Sequence, residues 1–437
     1  MELIENNPEV QNRVMLVALI LPSTSQEEVD KSLDELERLV DTAGGETVIR
    51  VTQARPNPDV ATAVGKGKVE EIAEACKNND INLVVYDGEL SPSQIRNLED
   101  GIGGDVSVID RSMLILDIFA LHAVTGEGKL QVELAQLKYT APRLMGKGKS
   151  MSRLGGGIGT RGPGETKLES DRRHLKRRIV ALEEELSELD RTRQTMRAAR
   201  DRSGIPEIAI VGYTNAGKST LLNYLTDAGI LAQDKLFATL DPTTRKFTLP
   251  SGTPVLLTDT VGFIRKLPHH LVKAFKSTLD TAVYADILLI LLDFSDDEYP
   301  AQLQVTYQII NELKAGDKPM LLALNKRDKA KDKLPILPDF ELQNIFAISS
   351  VTGEGVDALV NRIEEIVNEG KRRLVFTIPN AEQGALNTLY KNAVVEDVEY
   401  GPEAVKVTAV VDNKVRGMLA KYLPEADRPH IESEKDW

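Results

Sequence analysis

The sequence contains a single cysteine, Cys76, in 437 residues, so no disulfide can form within the chain. Its first residues, Met1–Gln11, are polar and acidic, and they lack the basic start and apolar core of a secretory signal. No apolar run approaches the ~20 residues of a membrane-spanning helix. The longest run built only of leucine, isoleucine and valine is Ile287–Leu292. These absences predict a soluble protein of the cytoplasm.

Positive charge is scarce overall but concentrated in one segment. The chain carries 54 lysines and arginines against 67 aspartates and glutamates, a net charge of −13. Residues 143–178 reverse this balance with about +8, which leaves about −21 for the remainder. The basic residues are Arg143, Lys147, Lys149, Arg153, Arg161, Lys167, Arg172, Arg173, Lys176, Arg177 and Arg178. A basic segment on an acidic chain can bind a polyanion locally while the rest of the surface repels it.

Length and changes of pattern divide the chain into four predicted regions. At ~100–200 residues per domain, the length corresponds to two to four domains. Residues 1–110 alternate short apolar runs with amphipathic stretches, which predicts a small parallel sheet wrapped in helices. Residues 111–204 have helical periodicity, and residues 205–370 again alternate strands and helices. Residues 371–437 predict a compact βαββα module followed by a polar tail.

The second region predicts an antiparallel helical hairpin with a glycine-rich tip. An apolar residue recurs at every seventh position in its second half, at Leu168, Leu175, Leu182, Leu189 and Met196. One helix cannot bury such a seam alone, and its nearest predicted partner is the helix around Gln131–Tyr139. The intervening residues 143–167 contain eight glycines interleaved with basic residues, so we expect a loop that is mobile in isolation and suited to folded RNA. The alternative is a flexible solvated linker.

A string in the third region has the spacing of a phosphate-binding loop. Glu207–Val211 predicts a strand, Thr220–Leu225 predicts a helix, and the residues between them fit G-x-x-x-x-G-K-[ST]. They are Gly212, Tyr213, Thr214, Asn215, Ala216, Gly217, Lys218 and Ser219. Glycines let backbone N–H groups turn towards phosphates, and the helix N-terminus adds a partial positive charge. We expect Lys218 to reach the β- and γ-phosphates and Ser219 to ligate Mg²⁺.

Three further motifs follow predicted strands in the order that a nucleotide site requires. They are Asp259, Thr260, Val261 and Gly262 after Val255–Thr258; Asn325, Lys326, Arg327 and Asp328 after Met320–Leu324; and Ser349, Ser350 and Val351 after Asn344–Ile348. Each motif falls at the C-terminal edge of a strand, where open α/β sheets bind ligands. Asp259 can hold the Mg²⁺ shell there, and Gly262 can offer its N–H to the γ-phosphate.

Asn325 and Asp328 predict which base is bound. Guanine presents N1–H and its exocyclic amine as adjacent donors, and the two oxygens of Asp328 can accept both. Adenine has an acceptor at N1, and a site built around a substrate's donors rejects an analogue without them by ~10⁴–10⁵-fold. Lys326 would lie over the base, while Ser350 and Val351 would offer backbone N–H groups to guanine O6. The sequence therefore favours GTP over ATP.

A threonine between the phosphate loop and Asp259 must complete the Mg²⁺ sphere and sense the γ-phosphate. The candidates lie in the string Phe237–Thr244. Thr239 is the first choice, and Thr243 and Thr244 remain alternatives because spacing alone does not separate the three. Loss of the γ-phosphate would release this segment and the one after Gly262, which is an order–disorder switch.

These motifs resemble those of the translation-factor-related GTPases. With Gly155–Gly164, Glu165–Glu169 and Phe237–Asp241, they resemble the HflX family over nearly the whole chain. The resemblance implies an α/β fold: a P-loop GTPase domain with a mixed, mostly parallel sheet, an N-terminal α/β domain, a helical hairpin and a small C-terminal α/β domain. It also implies a cytoplasmic GTPase that associates with the large (50S) ribosomal subunit, acting in ribosome splitting or rescue, notably under stress, or in ribosome biogenesis. The N-terminal and hairpin regions would contact ribosomal RNA.

The resemblance further implies a set of site residues. Lys218, Thr239 and Gly262 would serve catalysis; Ser219 and Thr239 would ligate Mg²⁺ directly, and Asp259 through water. GTP or GDP would contact Gly212, Tyr213, Thr214, Asn215, Ala216, Gly217, Lys218, Ser219, Thr220, Phe237, Ala238, Thr239, Leu240, Asp241, Asp259, Thr260, Val261, Gly262, Asn325, Lys326, Arg327, Asp328, Ser349, Ser350 and Val351. We expect a monomer whose basic glycine-rich loop meets 23S rRNA.

Two positions bear on the rate of hydrolysis. Many switch GTPases place a glutamine after the D-x-x-G glycine to orient the attacking water, but here that position is Phe263. We therefore expect slow hydrolysis by the isolated protein, which needs a substitute from a partner or from another residue. In related GTPases an asparagine at the position of Asn215 helps to bind a potassium ion, which could neutralise developing charge. The alternative is an asparagine that stabilises its own turn.

Two other functions compete with the ribosomal one. The hairpin could recruit a protein partner through its apolar seam, which would make the protein a GTP-dependent signalling switch. Binding through about eight to ten phosphates would lose ~10³–10⁵ in affinity between 50 and 200 mM salt, whereas an apolar contact would not. An ATP-dependent RNA remodeller would need a second phosphate loop. Gly65–Lys68 lacks the required frame and predicts a turn.

Overall fold

The computed structural model describes residues 12–151, 163–203, 205–226, 236–237, 240–266, 268, 276–330, 344–369, 372–411, 413–424 and 427. Within these ranges the strands form three sheets, of four, six and three strands. No helix of the described residues is long and apolar enough to cross a membrane.

The N-terminal sheet has the predicted βαβ alternation. Its strands are β1 (Arg13–Ile20), β2 (Glu46–Ala54), β3 (Leu83–Tyr86) and β4 (Ser107–Asp110), and its helices are α1 (Gln26–Thr42), α2 (Lys66–Asn78) and α3 (Pro92–Ile102). All pairings are parallel, in the order β2-β1-β3-β4. The predicted turn at Gly65–Lys68 is wrong, because α2 begins there with Gly65 as its N-cap. Burial of Val69 and Ile72 stabilises a helix that starts one turn earlier.

The predicted helical hairpin is present, but it is longer than expected. Helix α4 (Arg111–His122) leads into α5 (Gly126–Met151), and α6 (Pro163–Ser203) packs against α5. The ion pairs Glu127–Arg193 and Lys138–Glu183 show that the two helices run antiparallel. Both helices extend into the predicted loop 143–167, and the remaining tip, 152–162, lies outside the described residues.

The heptad seam of α6 is buried over only part of its length. Leu182 is fully buried against α5, whereas Leu175 and Leu189 are half-buried. Met196 is 58% exposed, because α5 begins near the level of Arg193 and provides no surface beyond it. The prediction of a continuous seam of four heptads is therefore wrong at its C-terminal end.

The six-stranded sheet has the predicted mostly parallel form. Its strands are β5 (Glu207–Gly212), β6 (Thr243–Thr248), β7 (Pro254–Asp259), β8 (Ile287–Asp293), β9 (Met320–Asn325) and β10 (Ile345–Ala347). The order is β10-β9-β8-β5-β7-β6, and only β6 is antiparallel. The helices are α7 (Lys218–Thr226), α8 (Lys276–Tyr284), α9 (Tyr299–Glu312) and α10 (Val356–Asn368). Strand β6 is not predicted from the sequence, because its polar string Thr-Thr-Arg-Lys-Phe-Thr lies at a sheet edge and has almost no apolar side chain.

The last region has the predicted βαββα order. It comprises β11 (Arg372–Pro379), α11 (Gln383–Asn392), β12 (Val394–Tyr400), β13 (Ala404–Val411) and α12 (Asn413–Met418). The sheet is antiparallel with β13 in the middle, and it has a hydrophobic core of its own.

A single apolar core joins the first three regions. Leu36 of α1 and Leu116 of α4 belong to the same buried cluster as Leu288 of β8 and Phe263. The opposite face of the six-stranded sheet packs against α7 and α10 in a separate core. On this face of the sheet, helices α8 and α9 therefore share the core with α1 and α4, which lie outside residues 205–370.

Candidate nucleotide site

The carboxyl ends of neighbouring strands gather the predicted motifs at one edge of the six-stranded sheet. Strands β5, β7, β8 and β9 run parallel and end in Gly212, Asp259, Asp293 and Asn325. Ser349 follows β10 at the same edge. Parallel strands present their carboxyl ends together, and ligands of open α/β sheets bind there. The structure thus brings together motifs that lie more than 130 residues apart in the sequence.

The phosphate-binding loop joins β5 to α7, in the predicted strand–loop–helix order. Lys218 is 7% exposed, and its Nζ donates to the carbonyl oxygens of Gly212 and Tyr213 at 3.2 and 2.9 Å. Burial lowers the pKa of Lys218 to about 8, against the opposing effect of the Asp259 carboxylate. The ammonium is therefore still mostly charged at pH 7 and lies where the backbone turns around a phosphate.

Ser219 and Asp259 provide oxygen ligands suited to Mg²⁺. The hydroxyl of Ser219 donates to Asp259 Oδ2 at 2.6 Å, and Asp259 is fully buried. Mg²⁺ takes oxygen ligands and keeps several waters, so a hydroxyl beside a strand-end carboxylate fits the ion that P-loop GTPases generally use. Ala238 and Thr239, the other predicted contacts nearby, lie outside the described residues.

Two glycines are required by close packing around the loop. Gly217 has φ +94°, and a Cβ there would lie 2.4 Å from Asn325 Nδ2. A Cβ on Gly262 would lie 2.7 Å from Thr214 Cα and 2.9 Å from Lys218 Nζ. Any side chain at either position would separate the loop from its neighbouring motif, so both must be glycine.

The backbone after Gly262 pairs with the phosphate-binding loop. Phe263 donates its N–H to Gly212 O at 3.0 Å, and its carbonyl accepts the N–H of Thr214 at 2.8 Å. The Phe263 ring is 1% exposed, and the Thr260 hydroxyl donates to Ile210 O at 2.7 Å. The residue after Gly262 is thus part of the core, with no group that could orient a water molecule.

The base-reading residues are fixed by hydrogen bonds to one another. Asn325 Nδ2 donates to Ala216 O at 2.7 Å, and Asn325 Oδ1 accepts from both the N–H and the hydroxyl of Ser350 at 2.9 Å. Asp328 Oδ1 accepts from the Ser349 hydroxyl at 2.6 Å. These bonds tie the end of β9 to the phosphate-binding loop and to the segment after β10, and they fix the carboxylate of Asp328, the residue predicted to read the base.

The other predicted base contacts differ in where their side chains point. Lys326 adopts φ +62°, and its Nζ pairs with Asp293 Oδ2 at 2.7 Å. Val351 is 74% exposed. The guanidinium of Arg327 lies over the ring of Phe294, 5.8 Å from its centre, and stabilises its own loop. The structure therefore does not bring the Arg327 side chain to the base.

Two of the three candidate threonines, Thr243 and Thr244, lie within the described residues. Thr244 lies in β6, where its Oγ1 is 2.9 Å from Thr258 Oγ1 of β7. Thr243 begins β6 and is paired with Asp259 in the strand register. The string Phe237–Thr244 thus ends in a strand, and the Thr244 hydroxyl pairs across to β7.

Two residues predicted to contact the nucleotide contact the helical region instead. The Phe237 ring packs edge-on against Phe119 of α4, with ring centres 4.7 Å apart. The carboxylate of Asp241 accepts hydrogen bonds from the backbone N–H groups of Val124 and Thr125, both at 2.9 Å. Both side chains therefore point towards the residues that join α4 to α5.

Sequence reasoning missed a set of N-terminal side chains that reach the phosphate-binding loop. The hydroxyl of Tyr213 donates to Glu35 of α1 and accepts the N–H of Arg265 at 2.6 Å. Burial and the negative charge of Glu35 raise the pKa of Tyr213, so the hydroxyl keeps its proton and donates. Tyr213 thus connects the loop, the segment after Gly262 and the N-terminal sheet.

A buried arginine organises these contacts. Arg111 is 1% exposed and pairs with Glu35 and with Asp87, the latter at 2.8 Å. Asp87 also pairs with Lys266 Nζ at 2.6 Å. Burial opposes ionisation of Asp87, but Arg111 and Lys266 outweigh it, so the pKa of Asp87 lies below its usual value. The signal available in the sequence is an arginine at the start of the mostly apolar helix Arg111–His122.

Family models match four consecutive stretches of the chain. They are described as "GTP-binding GTPase N-terminal" (30–120), "GTP-binding GTPase Middle Region" (122–200), "50S ribosome-binding GTPase" (207–326) and "HflX C-terminal domain" (340–420).

Whole-chain relatives carry one name. The chain is 51% identical to "GTPase HflX" of Lacrimispora saccharolytica, over 96% of this chain and 98% of the relative. It is 41% identical to "GTPase HflX" of Escherichia coli K12, over 85% and 87%. Among solved structures, a GTP-binding protein from Sulfolobus solfataricus in complex with GDP is 26% identical, with a TM-score of 0.44 over 82% of this chain and 99% of that one.

Proposed function

Because the chain belongs to the HflX family of GTPases, we propose that it hydrolyses GTP on the large (50S) ribosomal subunit, in ribosome splitting, rescue or biogenesis under stress. The match of residues 207–326 to the model described as "50S ribosome-binding GTPase" supports this proposal. The observation that carries it is the exposed basic face of α6, on a chain that is otherwise strongly acidic.

The chemistry follows from positioned charge. Phosphoryl transfer needs little covalent participation from the protein, so catalysis rests on placing the phosphates and stabilising their charge. The buried ammonium of Lys218 would supply positive charge beside the turning backbone, and Gly262, which packs closely against Thr214 and Lys218, would donate its N–H to the γ-phosphate. Bound Mg²⁺, held by Ser219 and through water by Asp259, would supply further charge neutralisation. At the other end, Asp328 accepts the two guanine donors and so selects GTP.

Phe263 explains why the ribosome would be needed. Its buried ring occupies the position of the glutamine that orients water in many switch GTPases, so this position provides no group for that step. A ribosomal partner would supply the missing group or reorder the segment after Gly262. We expect turnover of GTP to rise by about a hundredfold when 50S subunits are added. Equal turnover with and without subunits would contradict this part of the proposal.

RNA contact is supported by the side chains on α6. Arg172, Arg173, Lys176 and Arg177 are exposed on successive turns, and the neighbouring Arg178, also exposed, pairs with Glu133 of α5. Exposed cations on a rigid hairpin can follow a phosphate backbone, and each contact releases a counterion. The apolar seam is the competing surface for a protein partner, but α5 already covers it at Leu182.

Co-sedimentation with 50S subunits tests this surface. We expect a triple variant with Arg172→Ala, Lys176→Ala and Arg177→Ala to bind more weakly and to reduce the slope of log affinity against log salt by about two to three. A matched control is the triple variant at Lys314, Lys391 and Lys406, which removes the same charge from exposed positions elsewhere. The binding should be compared with a GTP analogue, with GDP and without nucleotide.

The same experiment separates the signalling alternative. A protein partner bound through the apolar seam would give an affinity almost independent of salt, and the arginine variants would bind as the control does. Retention of 50S binding by the triple α6 variant at all salt concentrations would contradict RNA contact through α6.

A further inference from the structure

The described residues of the segment before β6 lie against the helical region. Leu236, Phe237 and Leu240 are each 6% exposed or less and belong to the core that includes α4. We call residues 119–128, from the end of α4 to the first turn of α5, the α4–α5 corner. Phe119 of this corner packs edge-on against Phe237. This segment therefore has an apolar attachment to a region outside the GTPase sheet.

Asp241 provides a second, polar attachment. Its carboxylate accepts the backbone N–H groups of Val124 and Thr125 at 2.9 Å, and also the Thr125 hydroxyl. The same hydroxyl accepts the N–H of Gly128 at 2.9 Å, which caps the N-terminus of α5. A carboxylate at a helix N-terminus is further stabilised by the helix dipole. The Thr125 hydroxyl thus connects the N-terminus of α5 to Asp241, at the entry to β6.

Gly128 shows how closely the two parts fit. A Cβ at Gly128 would lie 2.5 Å from Asp241 Oδ1, so a side chain there would displace the Asp241 carboxylate from its present position. A Cβ built on Gly126, one residue after Thr125, would have no atom within 4 Å. The restriction is therefore local to the contact with Asp241.

The strand register connects this attachment to Asp259, which is predicted to hold Mg²⁺ through water. Asp241 precedes Thr243 by two residues, and Thr243 pairs with Asp259. Asp259 in turn accepts the hydroxyl of Ser219 from the phosphate-binding loop. A shift of Asp241 would therefore be transmitted within two residues to the strand partner of Asp259.

We propose that the α4–α5 corner positions the GTPase site for the triphosphate. Thr125 and Gly128 act as positioning residues, which fix Asp241 and so the entry to β6 beside Asp259. In P-loop GTPases the segment before this strand is ordered by the γ-phosphate. If the corner and the γ-phosphate order the same segment, each strengthens the other by linkage. Disturbing the corner should then weaken binding of a GTP analogue and spare binding of GDP.

Two glycine variants test this proposal with the full-length protein. We expect Gly128→Ala to weaken binding of the non-hydrolysable analogue GMPPNP in Mg²⁺ buffer by about fivefold to tenfold, with GDP affinity within twofold of wild type. Gly126→Ala is the matched control, since it adds the same methyl group to the same helical turn where space is open. The GDP affinity also reports that the site is folded.

Three outcomes would overturn the proposal. Gly128→Ala could lower the affinities for GMPPNP and GDP equally, Gly126→Ala could reproduce the loss, or GMPPNP binding to Gly128→Ala could stay as in wild type. The first outcome would indicate general damage to the site, and the second an effect of the helix alone.

Thr125 gives an independent test through rescue by a conservative variant. Thr125→Ser keeps the hydroxyl that donates to Asp241 and accepts from Gly128. Thr125→Val keeps the shape of the side chain but removes this hydroxyl. We expect Thr125→Ser to match wild type. We expect Thr125→Val to bind GMPPNP more weakly and to hydrolyse GTP more slowly, while its affinity for GDP is unchanged. Equal behaviour of the two variants would contradict a positioning role for the hydroxyl.

Discussion

The two ends of the candidate site are held by different parts of the molecule. At the base end, Asn325 bonds to Ala216 and Ser350, and Asp328 to Ser349, so every partner lies within residues 205–370. At the phosphate end, Tyr213 bonds to Glu35 of the N-terminal sheet. The chain entering β6 is likewise held from outside, by the helical region.

This difference between the base end and the phosphate end suggests that base recognition and the response to the γ-phosphate depend on different regions of the molecule. If the predicted base site reads guanine, its partners all lie in one domain, so its selectivity should not depend on the other regions. A phosphate site whose neighbours belong to other regions responds when those regions move, because its contacts depend on their docking. We therefore expect changes outside the GTPase sheet to alter the response to the γ-phosphate and to leave base selectivity unchanged.

The largest expected effect is at the base end. Asp328→Asn replaces one carboxylate oxygen by an amide donor, which faces the exocyclic amine of guanine. We expect GTP affinity to fall by roughly 10³-fold or more. Xanthosine triphosphate, which has an oxygen in place of that amine, should bind the variant better than GTP does. Titration with both nucleotides and with ATP measures this, and comparable affinities of the wild-type protein for GTP and ATP would refute the assignment of the base site.

A smaller effect is expected where the N-terminal sheet meets the phosphate end. Glu35→Gln removes the negative charge between buried Arg111 and the Tyr213 hydroxyl, so we expect the free energy of unfolding to fall by about 1–3 kcal/mol. Urea denaturation measures the loss. Glu27→Gln, at an exposed position of the same helix, is the control and should have no measurable effect. The preference for GTP over ATP should persist in Glu35→Gln, and a change in that preference would break the distinction between the two ends.

The buried lysine predicts a pH dependence of binding. The pKa of Lys218 is lowered to about 8 by burial, and phosphate contact favours the charged form and raises it again. Above pH 8 the free protein must therefore take up a proton to bind, and affinity for GTP should fall by up to about tenfold per pH unit. Calorimetry at pH 8.5 in buffers of different ionisation enthalpy measures the uptake. Lys218→Arg isolates the lysine, because the nucleotide titrates equally in both proteins; equal uptake in the two would contradict the assignment.

The smallest expected effect concerns the monovalent cation at Asn215. This residue has φ +62°, a conformation that asparagine and glycine tolerate, so the turn alone could explain its identity. If its side-chain oxygen also binds potassium, turnover should be about threefold to tenfold faster in potassium than in sodium buffer. Asn215→Gly keeps the turn and removes the oxygen, so the difference should disappear. Equal rates of the wild-type protein in the two buffers would leave only the role in the turn.

The residues of the site were predictable where chemistry and spacing are local. Gly212 to Ser219 form one unbroken string between a strand and a helix, and each remaining motif directly follows an apolar run. Strand β6 was missed because its polar edge position gives no alternation to detect. Phe237 and Asp241 were placed at the nucleotide, since the sequence does not tell which of two nearby surfaces a loop side chain will face.

The sequence by itself determined that the chain is a P-loop GTPase and predicted its guanine-reading residues, because these functions depend on residue types within short segments at strand ends. Only the tertiary structure decided which regions support the phosphate end. Tyr213 and Glu35 are 178 residues apart, and they meet because apolar faces of α1, α4 and the six-stranded sheet share one core. Such docking depends on the packing of whole surfaces, which no local pattern of residues specifies.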